Sequence, residues 1–259
     1  MAFLLKGGAI FLHIPKTGGS WVKTVLKESG LIEKQLGHEH ANWDRVLFRD
    51  RYYDLGLKEI IKTKVKNRFI GKLSHDDCSQ ETNDKNPFVF CFVRQPLTWY
   101  ESWWKYMVKM KWKDWGRINS KRYWHPNAVL NGLGSDDFNQ FVKNVICTKP
   151  GYVSELYGSY TQPGINFIGK TENIVDDLIK ILQFLELDYN EDFIRTYKKV
   201  NVSHSSSTIE WEAELKEMAL KMELPALVQY GYAEEPIYTK LATSIGATPT
   251  HKALQRILL

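Results

Sequence analysis

Residues 15–20, Pro15-Lys16-Thr17-Gly18-Gly19-Ser20, have the composition of an anion cradle. Lys16 supplies a full positive charge, and Gly18 and Gly19 let the backbone approach a bulky oxyanion with no Cβ in the way. An apolar run over residues 9–14, broken only by His13, precedes the turn and has the length of a buried strand. From Trp21 onward, helical spacing puts Val22, Val25 and Leu26 on one face, with Gly30 as the stop. A glycine turn between strand and helix aims free N–H groups and the positive end of the helix dipole at whatever enters it. Phosphate or sulfate binding is the chemistry this order predicts; an ordinary strand-to-helix turn is the alternative. A Walker A loop is a poor match, because that pattern places its lysine after the last glycine and Lys16 precedes both.

A second stretch adds an independent anchor. Residues 87–93 form a near-continuous apolar run, the pattern of a central parallel strand covered on both faces. Arg94 ends it, and Pro96 suits the first turn of a following helix. Ligands of open α/β sheets bind at the carboxyl ends of the strands. The planar fork of Arg94 fits phosphate, and Ser102 lies close enough in the helix to share an oxyanion with it. The competing reading pairs Arg94 with a helix carboxylate such as Glu101.

Together these stretches resemble a known family. The string from His13 to Ser20 is similar to the 5′-phosphosulfate-binding loop of sulfotransferases that use 3′-phosphoadenosine 5′-phosphosulfate, in the branch holding the heparan sulfate 2-O- and 6-O-sulfotransferases and many bacterial relatives. Residues 92–102 resemble that family's 3′-phosphate motif, an Arg at a strand end and a Ser eight positions on. Gln95 departs from the residue usual there, and Ser20 stands for a more frequent threonine; both keep hydrogen-bonding capacity. The resemblance runs from about residue 9 to residue 203. It implies that Pro15, Lys16, Thr17, Gly18, Gly19, Ser20, Trp21, Arg94 and Ser102 hold the donor, with Lys16 stabilising the leaving phosphate. It also implies a hydroxyl acceptor, on a sugar or small molecule, and a chemistry that requires no metal. Composition and the short apolar start add the expectation of no nucleic acid and no membrane partner. Residues 169–173 resemble the family's late strand-to-helix segment, where Glu172 is structural.

Sulfuryl transfer also needs a base for the acceptor hydroxyl, and a neutral histidine serves near pH 7. His75 is the first candidate: it stands at a predicted strand end, 94 − 75 = 19 positions before Arg94, where relatives carry their catalytic histidine. A surface role beside Asp76-Asp77 is the alternative. His40 and then His38 are reserves, in a Gly-His-x-His segment that lacks a third metal ligand of matching spacing. His13, inside the strand, reads as structural. A P-loop nucleotide kinase or NTPase is the competing enzyme class, opposed by the misplaced lysine and the lack of a clear acid to hold Mg²⁺. A non-catalytic binder of an adenine nucleotide or sulfated glycan is the competing non-enzyme class.

The elements that must position these groups read as α/β, a P-loop-like parallel sheet between two helical layers, in one domain over residues 1–259 with a short C-terminal tail. Further helices are predicted within 45–68, over 97–112 (rich in Trp and Tyr), from 136 to 146, over 152–160, from 172 to 185 with Thr171 as its cap, over 191–198 and over 209–222. Strands are predicted near 69–73 and 165–169, with loop over 113–135. The 259 residues hold 43% hydrophobic and 25% charged residues, ordinary for a globular chain of this size. A net charge of +5 suits an anionic ligand without demanding nucleic acid. The 13% aromatic content, with nine Trp, calls for a large packed or stacking surface. Cys78, Cys91 and Cys147 are odd in number and widely spaced, which predicts a reducing compartment. The apolar start ends at Lys6, too early for a signal or spanning segment, so a cytoplasmic protein is expected.

Overall fold

Side chains alternate along a strand, and in this chain both faces of the sheet are apolar. Ile10, Leu12, Val89, Cys91 and Val93 point into one core. Phe11, Phe90 and Phe92 point into a second, on the opposite face, and all three are fully buried.

A computed structural model describes residues 2–37, 40–46, 87–116, 124–162, 164–198 and 209–233. Its strands are β1 (Ala2–Leu5), β2 (Ile10–Leu12), β3 (Ile32–Leu36), β4 (Val89–Val93) and β5 (Phe167–Lys170). They form one five-stranded sheet in the order β3-β1-β2-β4-β5. β2, β4 and β5 are parallel neighbours, whereas β1 runs antiparallel to both β2 and β3. The sheet is therefore mixed, a correction to the parallel one expected. Its cause is the turn after Leu5: Gly7 and Gly8 have φ of +83° and +84°, and the chain doubles back so that the Leu5 N–H donates to Ala9 O at 2.8 Å. β3 exposes Glu33, Lys34 and Gln35, so it offered no apolar alternation to read.

Helices cover both faces. They are α1 (Gly19–Glu28), α2 (Pro96–Lys109), α3 (Phe138–Thr148), α4 (Tyr152–Gly158), α5 (Ile174–Phe184), α6 (Glu191–Thr196), α7 (Ala213–Met222) and α8 (Leu224–Gln229). α1, α5 and α6 bury Val22, Leu182 and Ile194 on the phenylalanine face; α2, α3, α4, α7 and α8 close the other. None of the helices among the described residues is long and apolar enough to cross a membrane. α2 stops before the end of its aromatic pattern because Lys111 and Trp112 turn left-handed, with φ of +53° and +51°. The expected loop over 113–135 contains a 3₁₀ helix (Pro126–Leu130), started by His125, whose Nδ1 accepts the Asn127 N–H at 3.1 Å. Thr171 does not cap α5. Its hydroxyl donates to Val93 O at 2.9 Å and ties β5 to β4, and α5 begins three residues later.

One buried carboxylate joins the helices of the tryptophan-rich layer. Glu223 is fully buried. It accepts the Tyr100 hydroxyl (2.7 Å), the Val153 N–H (3.0 Å), and the Ser154 N–H and hydroxyl (both 2.8 Å). An acceptor at the N-terminus of α4 is favoured by the helix dipole, and its loss would orphan several buried donors. Glu223→Ala is expected to destabilise the fold by about 3 kcal/mol, read as a lowered urea midpoint with little change in slope.

Candidate functional site

β2 and β4 are parallel, with Leu12 opposite Cys91, so the chain leaves both strands at one edge of the sheet. The Pro15–Ser20 loop and Arg94 both start there. The Trp99 indole N–H donates to Pro15 O at 2.9 Å, and the Thr17 hydroxyl donates to Ile14 O at 3.0 Å. Lys16 is held at φ +66°, a left-handed conformation that costs a non-glycine residue about 1–2 kcal/mol. Strain of this kind clusters at ligand sites. Gly18, at φ +78°, is the N-cap of α1. A Cβ on Gly18 would lie 2.4 Å from Ile174 Cδ1, and one on Gly19 would lie 1.9 Å from His13 Cδ2. The glycines thus have a reason inside the protein: they let the loop close on His13 and Ile174.

Positive charge gathers at this edge. α1 starts without a side-chain cap and without an acidic residue in its first turn. Burial pushes the half-buried Lys16 down to about 8, and the nearby Arg94 guanidinium pushes the same way. Among the described residues neither cation is ion-paired. Glu101, the sequence-level alternative partner of Arg94, instead accepts the Trp211 indole N–H at 2.9 Å. Glu172 accepts the Gln95 N–H at 3.0 Å and the Tyr232 hydroxyl at 2.8 Å. The Lys16 ammonium rests 4.3 Å from the centroid of the Tyr106 ring. Ser102, half-buried and four positions before Tyr106, lies on the same side of α2. Two cations and an uncapped helix N-terminus therefore share one locality, and among the described residues neither cation has an ion-pair partner, an arrangement that a bound anion would relieve. Ser20 is half-buried beside them, whereas Trp21 is turned into the core of the phenylalanine face.

Behind the loop stands a cluster of three imidazoles. The His13 and His40 ring centroids are 4.6 Å apart, and those of His40 and His125 are 4.9 Å apart. His125 also packs on Trp103 and Trp115, at 6.2 and 5.2 Å. His40, half-buried, places Nδ1 3.1 Å from His13 O, while its carbonyl accepts the Tyr160 hydroxyl. His13 is 5% exposed, and its Nδ1 is buried without a hydrogen-bond partner. No group of His, Cys, Asp or Glu among the described residues is arranged to hold a metal ion. His75 and His38 lie outside the described residues, as do the predicted strand at 69–73, most of 45–68, residues 201–203 and the C-terminal tail. His125 was not singled out from the sequence. Its one local signal is the His-Pro-Asn order of a helix start, which says nothing of a histidine 125 − 40 = 85 positions away.

No family model, curated protein or solved structure matches this chain.

Burial holds both His13 and His40 well below the ordinary imidazole value; the charge of Lys23 adds to this for His13, and the neighbouring imidazoles add to it for His40. The unfolded chain takes up these protons near pH 6.5 and the folded chain only at lower pH. Their contribution to stability is therefore complete above about pH 6.5 and is lost as the pH falls below it. Urea midpoints are expected to drop between about pH 6.5 and pH 5. A His13→Asn/His40→Gln double variant should lose less over the same interval.

Proposed function

We propose that this chain is a sulfotransferase of P-loop-like architecture that moves a sulfuryl group from 3′-phosphoadenosine 5′-phosphosulfate to a hydroxyl on a sugar or small metabolite. The observation that carries the reading is the pair of cations Lys16 and Arg94, following neighbouring parallel strands at one edge of the sheet and without an ion-pair partner among the described residues. The motif resemblance over residues 13–20 and 92–102 supports it. In this reading the loop and the first N–H groups of α1 hold the phosphosulfate, and Arg94 with Ser102 holds the 3′-phosphate.

His40 is suited to act as the base. A carbonyl oxygen only accepts, so the Nδ1 facing His13 O carries the ring proton and Nε2 keeps its lone pair. Its lowered pKa keeps the imidazole neutral at pH 7. The acceptor oxygen attacks sulfur in line as the bond from sulfur to the 5′-phosphate oxygen breaks. His40 Nε2 takes the hydroxyl proton, and Lys16 stabilises the charge on the departing adenosine 3′,5′-bisphosphate. His75 competes with His40 for the base role.

Adenosine 3′,5′-bisphosphate is expected to raise the melting temperature more than ATP with Mg²⁺ does; the reverse preference overturns the reading. Lys16→Ala should lower sulfuryl transfer by about 10²- to 10³-fold. Of His40→Ala and His75→Ala, the variant that removes the base should lose about 10²- to 10⁴-fold in turnover. Donor binding with no turnover on any acceptor class would leave a binding protein instead of an enzyme.

Lys16 sits at about 8, and only its protonated form attracts the anion. Between about pH 7, where the phosphates are fully ionised, and that pH, affinity for the bisphosphate should therefore be flat, and it should decline above it. In Lys16→Arg, titration calorimetry should find the decline removed from the accessible range.

A further inference from the structure

The backbone around Arg94 is held far more firmly than a strand end requires. Tyr157, fully buried in α4, uses its one hydroxyl twice: the oxygen accepts the Arg94 N–H at 3.1 Å, and the O–H donates to Arg94 O at 2.9 Å. One residue on, the Gln95 N–H donates to Glu172 Oε1 at 3.0 Å. The other Glu172 oxygen accepts the Tyr232 hydroxyl at 2.8 Å. One residue back, Val93 O accepts the Thr171 hydroxyl at 2.9 Å. The Gln95 side chain caps α2 by accepting the Thr98 N–H at 2.9 Å. Consecutive backbone groups on both sides of Arg94 are thus bound by side chains from other elements. Its guanidinium, by contrast, has no carboxylate partner among the described residues. A fixed backbone under an uncommitted guanidinium is a preorganised site: the ordering is complete before the ligand arrives, so ligand binding need not supply it.

We infer that Tyr157, Glu172 and Tyr232 are positioning residues for Arg94, setting its guanidinium to select a nucleotide with a second phosphate on the ribose over one without it. This rests on the donor reading above. Burial is the main cause that raises both tyrosines above their ordinary value, so each remains a donor throughout the working pH range. Glu172 accepts through both oxygens; a glutamine keeps the one that meets the Gln95 N–H, and its amide can donate to the Tyr232 oxygen instead of accepting from it.

The experiment compares dissociation constants for adenosine 3′,5′-bisphosphate and adenosine 5′-monophosphate by titration calorimetry. The ratio of the two isolates the second phosphate. Arg94→Ala defines the ratio without the guanidinium. Tyr157→Phe and Glu172→Ala are expected to move the wild-type ratio about tenfold toward that limit, whereas Glu172→Gln should keep most of it. A wild-type protein that discriminates, with Tyr157→Phe and Glu172→Ala ratios within about twofold of it, overturns the positioning inference and leaves the donor reading intact. Equal weakening for both nucleotides marks a purely structural role and also overturns it. A wild-type protein that does not discriminate overturns both. If Tyr157→Phe does not fold, Tyr232→Phe is read by the same ratio.

Discussion

Leu12 lies opposite Cys91 in a parallel ladder, and the chain therefore leaves β2 and β4 on the same side of the sheet. Everything proposed for the site depends on that register. α1 begins where β2 ends and α2 where β4 ends, so two helix starts and two cations converge on one edge. Parallel neighbours require crossovers, and the crossovers bury both faces of the sheet. The floor beneath Lys16 and Arg94 is consequently aromatic and aliphatic. In such surroundings charge acts over a lower effective dielectric than in water, which is why Lys16 is depressed and why an anion would be held firmly.

Several of the aromatic side chains combine packing with a hydrogen bond that fastens a loop or strand end. Trp99 is fully buried yet donates to Pro15 O, so one side chain packs the core and fastens the loop. Trp104 does the same for Ser135 O, Trp112 for the Asp136 carboxylate and Trp211 for Glu101. Tyr157 grips Arg94, and Tyr160 grips the His40 carbonyl. An amphipathic ring contributes apolar area and one directional bond, with few rotatable torsions to freeze. Leu or Ile could fill the same volume but would leave the loop carbonyls unbound.

The buried imidazoles connect the scaffold to the chemistry. His13 lies against Gly19 at the start of α1, and its carbonyl faces His40 Nδ1. One residue thereby links the anion loop to the His40 imidazole. Gly19, which the sequence offers as room for a ligand, is also room for this ring. The loop is consequently sensitive to packing on its inner side as well as to charge on its outer side.

What the sequence by itself determined was local. The run ending at Val93, the Gln95-Pro96 start of α2, the amphipathic face of α5 and the cationic residues Lys16 and Arg94 are all legible there, because each is set by spacing within a few residues or by side-chain type. β1 was not legible, since four apolar residues before a glycine pair have no period that separates strand from tail. Thr171 looked like a cap and became a tie to Val93, because a β4 carbonyl stood within its reach. Only the tertiary structure decided that Glu101 turns to Trp211 and leaves Arg94 without that partner, and that His125 meets His40. Those outcomes depend on contacts between residues scores of positions apart, and such contacts leave no periodic trace in the chain.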